Sequence, residues 1–221
     1  MTNPCVDIAA LKARVGELEL QRLVDHFGEP VPHSTRRLLT LQEGFGQYRT
    51  IYSDPGCSYT DQTCRGAAAG HYRVLTLEEL CNLPVGRLAH VDGAFLWLWI
   101  SWPKLRDGWA HELLRAWGFA WKSELVWDKV KMGQGRWLRK QTEVLGMKGK
   151  LRRPRGWALI RDLVTWPRST VHSEKPTIIR KLVAAVSPCP MVELFARKAS
   201  PFCDRWGDEA PGESSVREAT P

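Results

Sequence analysis

Asp54 follows a short β-branched and aromatic run, Thr50-Ile51-Tyr52, and is followed at once by Pro55-Gly56 and Cys57. Pro cannot continue a hydrogen-bonded ladder and Gly admits positive φ, so a strand stops here and the chain turns. In open α/β sheets the carboxyl ends of strands are where ligands bind. An acid at that place is a candidate for chemistry, although Asp-Pro-Gly alone is also a common turn. The second group is basic and aromatic. Arg136, Trp137, Arg139 and Lys140 lie in a loop punctuated by Gly133 and Gly135. From Lys129 to Arg161 there are eleven Lys and Arg against one acid, Glu143, with Trp137 and Trp157 among them. Cations interleaved with aromatics suit a phosphate backbone and unstacked bases. A solvated basic face would look the same, and it is the nearby strand-end acid that points to nucleic acid. Cys57 has no evident base beside it in sequence and reads as a buried structural thiol.

The elements that must position these residues alternate. Apolar residues at helical spacing (Ile8, Leu11, Val15, Leu18, then Leu23, Val24, Phe27) predict a helix over 5–28 with Gly28 as its stop. Glu29-Pro-Val-Pro32 then breaks the chain. Residues 1–46 thus read as a helical N-terminal appendage and linker that covers a sheet edge or contacts a partner. A strand at 49–53 ends at Asp54. The stretch 61–70 is small and Gly/Ala-rich, a loop expected to move. Thr76-Leu-Glu-Glu79 is a capping box opening a short helix that ends before Pro84. Residues 94–100 form a continuous apolar strand covered on both faces, closed by Trp102-Pro103. Helical periodicity runs from Lys104 to Trp117, and further strands are expected at 124–127, 142–145 and 191–195. A helix spans about 175–186, with Pro176 in its first turn. Strand and helix signals at crossover spacing predict an α/β fold with a mainly parallel sheet. Residues 210–221 carry no periodicity and are expected to be disordered.

Composition narrows the partners. The 221 residues are 43% hydrophobic, enough for one sizeable core, and the net charge of +8 favours an anionic partner. The six cysteines include no C-x-x-C pair, which argues against a zinc ribbon or a disulfide framework, and no metal is expected. The N-terminus has neither a basic n-region nor an apolar h-region, and the longest apolar run, Gly93 to Ile100, is too short to span a bilayer. A soluble cytoplasmic protein with no membrane partner is therefore expected.

Taken in order, the motifs resemble the MT-A70 family of S-adenosylmethionine-dependent adenine N6-methyltransferases. Tyr52-Ser-Asp-Pro-Gly-Cys57 stands in the place of the family's Asp-Pro-Pro-Trp motif. Gly66-Ala-Ala-Ala-Gly-His-Tyr72 with Leu75-Thr-Leu-Glu-Glu79, then Phe95-Leu-Trp-Leu-Trp99 with Trp102, follow as in the family. Ala116-Trp-Gly-Phe119, Leu125-Val-Trp-Asp-Lys129, Gly135-Arg-Trp-Leu138, His172-Ser-Glu-Lys-Pro176, Val192-Glu-Leu-Phe-Ala-Arg197 and Trp206-Gly207 complete the series. The match covers about residues 47–209, which the resemblance marks as a Rossmann-like methyltransferase domain.

The resemblance implies S-adenosyl-L-methionine as cofactor, held by Tyr52, Ser53, Asp54, Lys175, Glu193, Leu194, Phe195, Arg197, Asp208 and Glu209. Lys175 would approach its carboxylate. It implies a catalytic segment Asp54-Pro55-Gly56-Cys57, with Tyr59, Tyr72, Trp102, Arg136, Trp137, Arg139 and Lys140 toward the nucleic acid, DNA ahead of RNA. A dimer with itself or with another chain is left open. The implied activity is methylation of an exocyclic base amine, adenine N6 in DNA first. Three positions depart from the family: Gly56 replaces the second Pro, Cys57 the stacking Trp, and Asp208 the usual Asn. Those departures leave two alternatives, a catalytically silent nucleic-acid-binding subunit and an enzyme for cytosine N4 or another base amine.

Overall fold

In the computed structural model, which describes residues 7–30, 32, 40–57, 74–130, 160–169 and 174–207 and the backbone of 142–149, seven strands form one sheet. They are β1 (Thr50–Ser53), β2 (Phe95–Ile100), β3 (Trp121–Asp128), β4 (Thr142–Gly149), β5 (Leu163–Thr165), β6 (Met191–Leu194) and β7 (Asp204–Trp206). Their order across the sheet is β5-β3-β4-β2-β1-β6-β7. β1 is central and pairs in parallel with β2 on one side and β6 on the other. β7 continues in parallel beyond β6, and β5 is parallel to β3. Only β4 runs against the others, antiparallel to both β2 and β3. The fold is α/β with a mostly parallel sheet, as the alternation of elements predicts.

Period-two alternation on β2 builds both cores at once. Phe95, Trp97 and Trp99 join Tyr52, Leu20, Val24, Ile179 and Leu182 on one face. Leu96, Leu98 and Ile100 join Ile51, Leu80, Val85, Leu113 and Val192 on the other. Helices α1 (Ile8–Phe27) and α6 (Thr177–Val186) cover the first face. Helices α2 (Leu77–Asn82), α3 (Val85–Leu88) and α5 (Trp109–Ala116) cover the second. Every residue of β1 and β2 is buried, which is why their sequences read as unbroken runs.

Local signals explain most element ends. Asp7 caps α1 by accepting from the amides of Ala9 and Ala10, and Gly28 ends it at φ 85°. Thr76 and Glu79 form the reciprocal capping box of α2. One expectation is corrected. The periodicity from Lys104 to Trp117 is not one helix but two, α4 (Trp102–Arg106) and α5, because Gly108 between them takes the left-handed conformation at φ 81°. Strands β5 and β7 carry no clear pattern, being three residues each. α1 packs on α6 and β5, so close that a Cβ at Gly16 would stand 1.9 Å from the carbonyl oxygen of Thr165. Its inner side, with Leu20 and Val24, packs into the core on one face of the sheet.

Candidate active site

The sheet's direction reverses its order at β1, whose neighbours β2 and β6 lie on opposite sides of it. The crevice at the carboxyl ends of such strands is where open α/β sheets place ligands. Ser53 is the last residue of β1, in register with Leu98 and Leu194, so Asp54 emerges at that crevice. Its amide faces the carbonyl of Leu194 at 3.5 Å.

Lys175 meets Asp54 there. Its Nζ lies 2.7 Å from Oδ1 and 2.9 Å from Oδ2, and the two side chains are 7% and 20% exposed. Pro176 explains the approach: it is the N-cap of α6, so Lys175 lies just before the helix. The ammonium also stands 5.3 Å from the centroid of the Trp99 ring. Trp99 is fixed in turn, its Nε1 donating to the Tyr52 hydroxyl at 2.7 Å. Burial holds the Tyr52 phenol well above its ordinary range, so it remains a neutral acceptor.

Pro55, Gly56 and Cys57 are buried beneath Asp54. The amide of Leu75 donates to the Gly56 carbonyl at 2.7 Å, and Cys57 forms a parallel bridge with Leu75. Gly56 and Cys57 are thereby joined to Leu75. The Cys57 Sγ donates to the Pro55 carbonyl at 3.6 Å. Burial pushes the thiol up to about 12, with Lys104 pulling the other way. Cys57 is thus a protonated thiol braced against the motif's own backbone, as the sequence suggests.

Glu193 is placed differently from a residue lining an open cleft. It is 3% exposed on β6, in register with Tyr52 and Arg205. Its Oε1 accepts from Arg180 of α6 at 2.8 Å, and its Oε2 lies 3.8 Å from the Cys203 thiol. Burial raises its carboxyl above the usual range against the pull of Arg180. Leu194 is fully buried, and Phe195 turns the chain at φ 60° beyond the strand. Gly207 lies so near that a Cβ there would stand 2.9 Å from the Phe195 Cα and the Ala196 nitrogen. Arg197, partly exposed, follows this turn, and Trp102 stands 41% exposed at the start of α4, beyond the end of β2. Tyr59, Tyr72, Arg136, Trp137, Arg139, Lys140, Asp208 and Glu209 lie outside the described residues.

Sequence reasoning missed Arg180, Trp99 and Cys203. A signal existed for the first: Glu193 stands alone in the apolar run Met-Val-Glu-Leu-Phe, and a buried acid needs a cation. Arg180, beside the apolar positions Ile179, Leu182 and Val183 of α6, supplies it.

Comparison with known proteins accords with this geometry. The MT-A70 family model matches residues 48–209, from just before β1 to just past β7. The chain belongs to the MT-A70 family. A relative from Mycoplasma sp, named Type II methyltransferase M.MunI, is 31% identical over 189 residues, 75% of this chain and 78% of its own length. Both findings support methyl transfer as the chemistry, and methyltransferases of the MT-A70 family generally use S-adenosylmethionine. The residues present fit that group. Lys175 is a cation of the kind its carboxylate would need, and the buried Ser53 Oγ has no hydrogen-bond partner at the carboxyl end of β1. Among the described residues, no helix is long and apolar enough to cross a membrane.

Proposed function

We propose that this protein methylates an exocyclic base amine, adenine N6 in DNA, with S-adenosylmethionine as the methyl donor. The observation that carries the reading is the Asp54 carboxylate, set at the crevice beside β1 and held on both oxygens by Lys175. The relative named as a type II methyltransferase favours DNA, and the net charge of +8 suits a polyanion.

The chemistry gives Asp54 its task. An exocyclic amine is a poor nucleophile because its lone pair is delocalised into the ring. Two acceptors that hold its two N–H groups draw the nitrogen toward a pyramidal geometry and free that lone pair. An ionised carboxylate offers about four lone-pair sites. Lys175 takes one on each oxygen, leaving others directed at a substrate N–H. The Pro55 carbonyl is the second acceptor; the Cys57 thiol contacts it and fixes its direction. Lys175 balances the Asp54 charge and locks its rotamer, so little reorganisation is needed when the amine arrives. When bound, S-adenosylmethionine supplies the electrophilic methyl group. An ammonium carries three donors, so Lys175 can serve the cofactor carboxylate together with Asp54. Trp102, exposed just beyond the end of β2, would be the aromatic that stacks on an extruded base.

The test is incubation with DNA and with RNA in the presence of the cofactor, followed by digestion to nucleosides and mass spectrometry. N6-methyladenine from DNA is the expected product. N4-methylcytosine would instead mean that Gly56 and Cys57 have retuned the base pocket. No product from either polymer, with nucleic acid still bound, would contradict the enzymatic reading.

A further inference from the structure

Helix α1 carries two apolar faces, and only one of them is covered by the sheet. Gly16, Leu20 and Val24 are buried against α6 and β5. Ile8, Leu11, Val15 and Leu18 are 67%, 56%, 56% and 49% exposed. At 3.6 residues per turn the centres of the two faces are roughly 150° apart around the helix, so the domain leaves the outer face open to an approaching helix. Single exposed apolar residues are ordinary, but four on one stripe of one helix are not.

Their spacing and types select the occupant. The intervals are three, four and three, the repeat of a two-heptad coiled-coil seam, with Ile8 and Val15 at the first position and Leu11 and Leu18 at the fourth. In parallel coils, β-branched residues at the first position with Leu at the fourth favour two strands, and the charges that flank the seam set the orientation. Here those charges favour the parallel pair. In a parallel pair, Arg14 of one helix faces Glu19 of the other, five residues on, on both sides of the seam. An antiparallel pair on the same seam would set Lys12 near Lys12 and Arg14 near Arg14. Within one chain, Arg14 meets Glu17 at 2.8 Å and Glu19 meets Arg161 at 3.4 Å. Both are solvent-exposed contacts of small net worth, readily exchanged for new partners. The seam ends at Arg22 and Asp25, which take the next two heptad positions. A helix that short would not hold itself together in water, but α1 is already held folded by its inner face.

We propose that the outer stripe of α1 is a homodimer interface, in which a second copy of this chain pairs through Ile8, Leu11, Val15 and Leu18 as a short parallel coiled coil. Sedimentation velocity over a concentration series tests it with the full chain. Wild type is expected to shift from monomer to dimer. Val15→Lys, at an exposed position, is expected to raise the dissociation constant about tenfold or more with an unchanged circular-dichroism melt. Register is read separately. A parallel seam brings Leu11 against its own copy, so in a background carrying Cys5→Ser and Cys189→Ser, Leu11→Cys is expected to form an interchain disulfide under mild oxidation, where the background alone does not. Cross-linking only between Leu11→Cys and Val15→Cys would show an antiparallel pair and overturn the proposal. So would a dimer that survives Val15→Lys. A monomer at every concentration would also overturn it and leave a helix of a different protein as the occupant.

Discussion

Asp54 and Lys175 are separated by 121 residues in sequence, and their contact was not legible there, although each residue was. The strand-end turn singled out Asp54 from its neighbours alone. Lys175 entered only through resemblance, as a contact for the cofactor, and the structure ties it to Asp54. Cys57 shows the opposite case. Its lack of a neighbouring base pointed to a structural thiol, and its burial, 8% exposed, agrees. A buried thiol pushed up to about 12 is almost wholly protonated at pH 8. Burial raises the Cys189 thiol too, but that side chain is exposed whereas Cys57 is buried, so iodoacetamide at pH 8 should label Cys189 and leave Cys57 unmodified in the native protein. Peptide mapping would check this, and labelling of Cys57 as fast as Cys189 would contradict a closed site.

Helices α1 and α6 illustrate why elements were easier to foresee than their orientation. The apolar spacing of α1 marked a helix, but it drew attention to Ile8, Leu11, Val15 and Leu18, which the fold leaves exposed. Gly16 and Leu20, set on the opposite side, make the packing face. Hydrophobicity reports which residues avoid water; it does not say which of two apolar stripes wins the core. α6 is fastened to β6 by Arg180 and Glu193, whose side chains are 15% and 5% exposed. Removing one partner of a buried pair strands the other charge, at a cost of about 3–5 kcal/mol. Arg180→Met should therefore destabilise the protein by about that amount in urea unfolding. Adding Glu193→Leu should restore most of the loss, because no charge is then left unpaired. A double variant no more stable than the single one would assign Arg180 a role beyond neutralising Glu193. Strands β5 and β7 escaped sequence reading for a simpler reason: three residues cannot display an alternation.

At the scale of the whole molecule, the α/β class was legible in the alternation of elements, and the two-sided burial of β2 in its unbroken apolar run, but the strand order came from the structure. The reversal of β4 was not legible either, since its sequence differs little from that of a parallel strand. The central placement of β1 turns a local Asp-Pro-Gly turn into a site, with β2 and β6 on either side and α6 delivering Lys175 from far along the chain. The account's central claim is that this Asp54 orients a base amine for methylation. The most direct measurement is single-turnover methyl transfer to DNA by wild type and by Asp54→Asn, with DNA and cofactor affinities measured in parallel. Asn keeps the size but has one acceptor in place of two and presents an amide to the amine. The account predicts transfer slowed by about 100-fold or more with DNA still bound. Transfer at the wild-type rate would contradict it and move the chemistry away from the carboxyl end of β1.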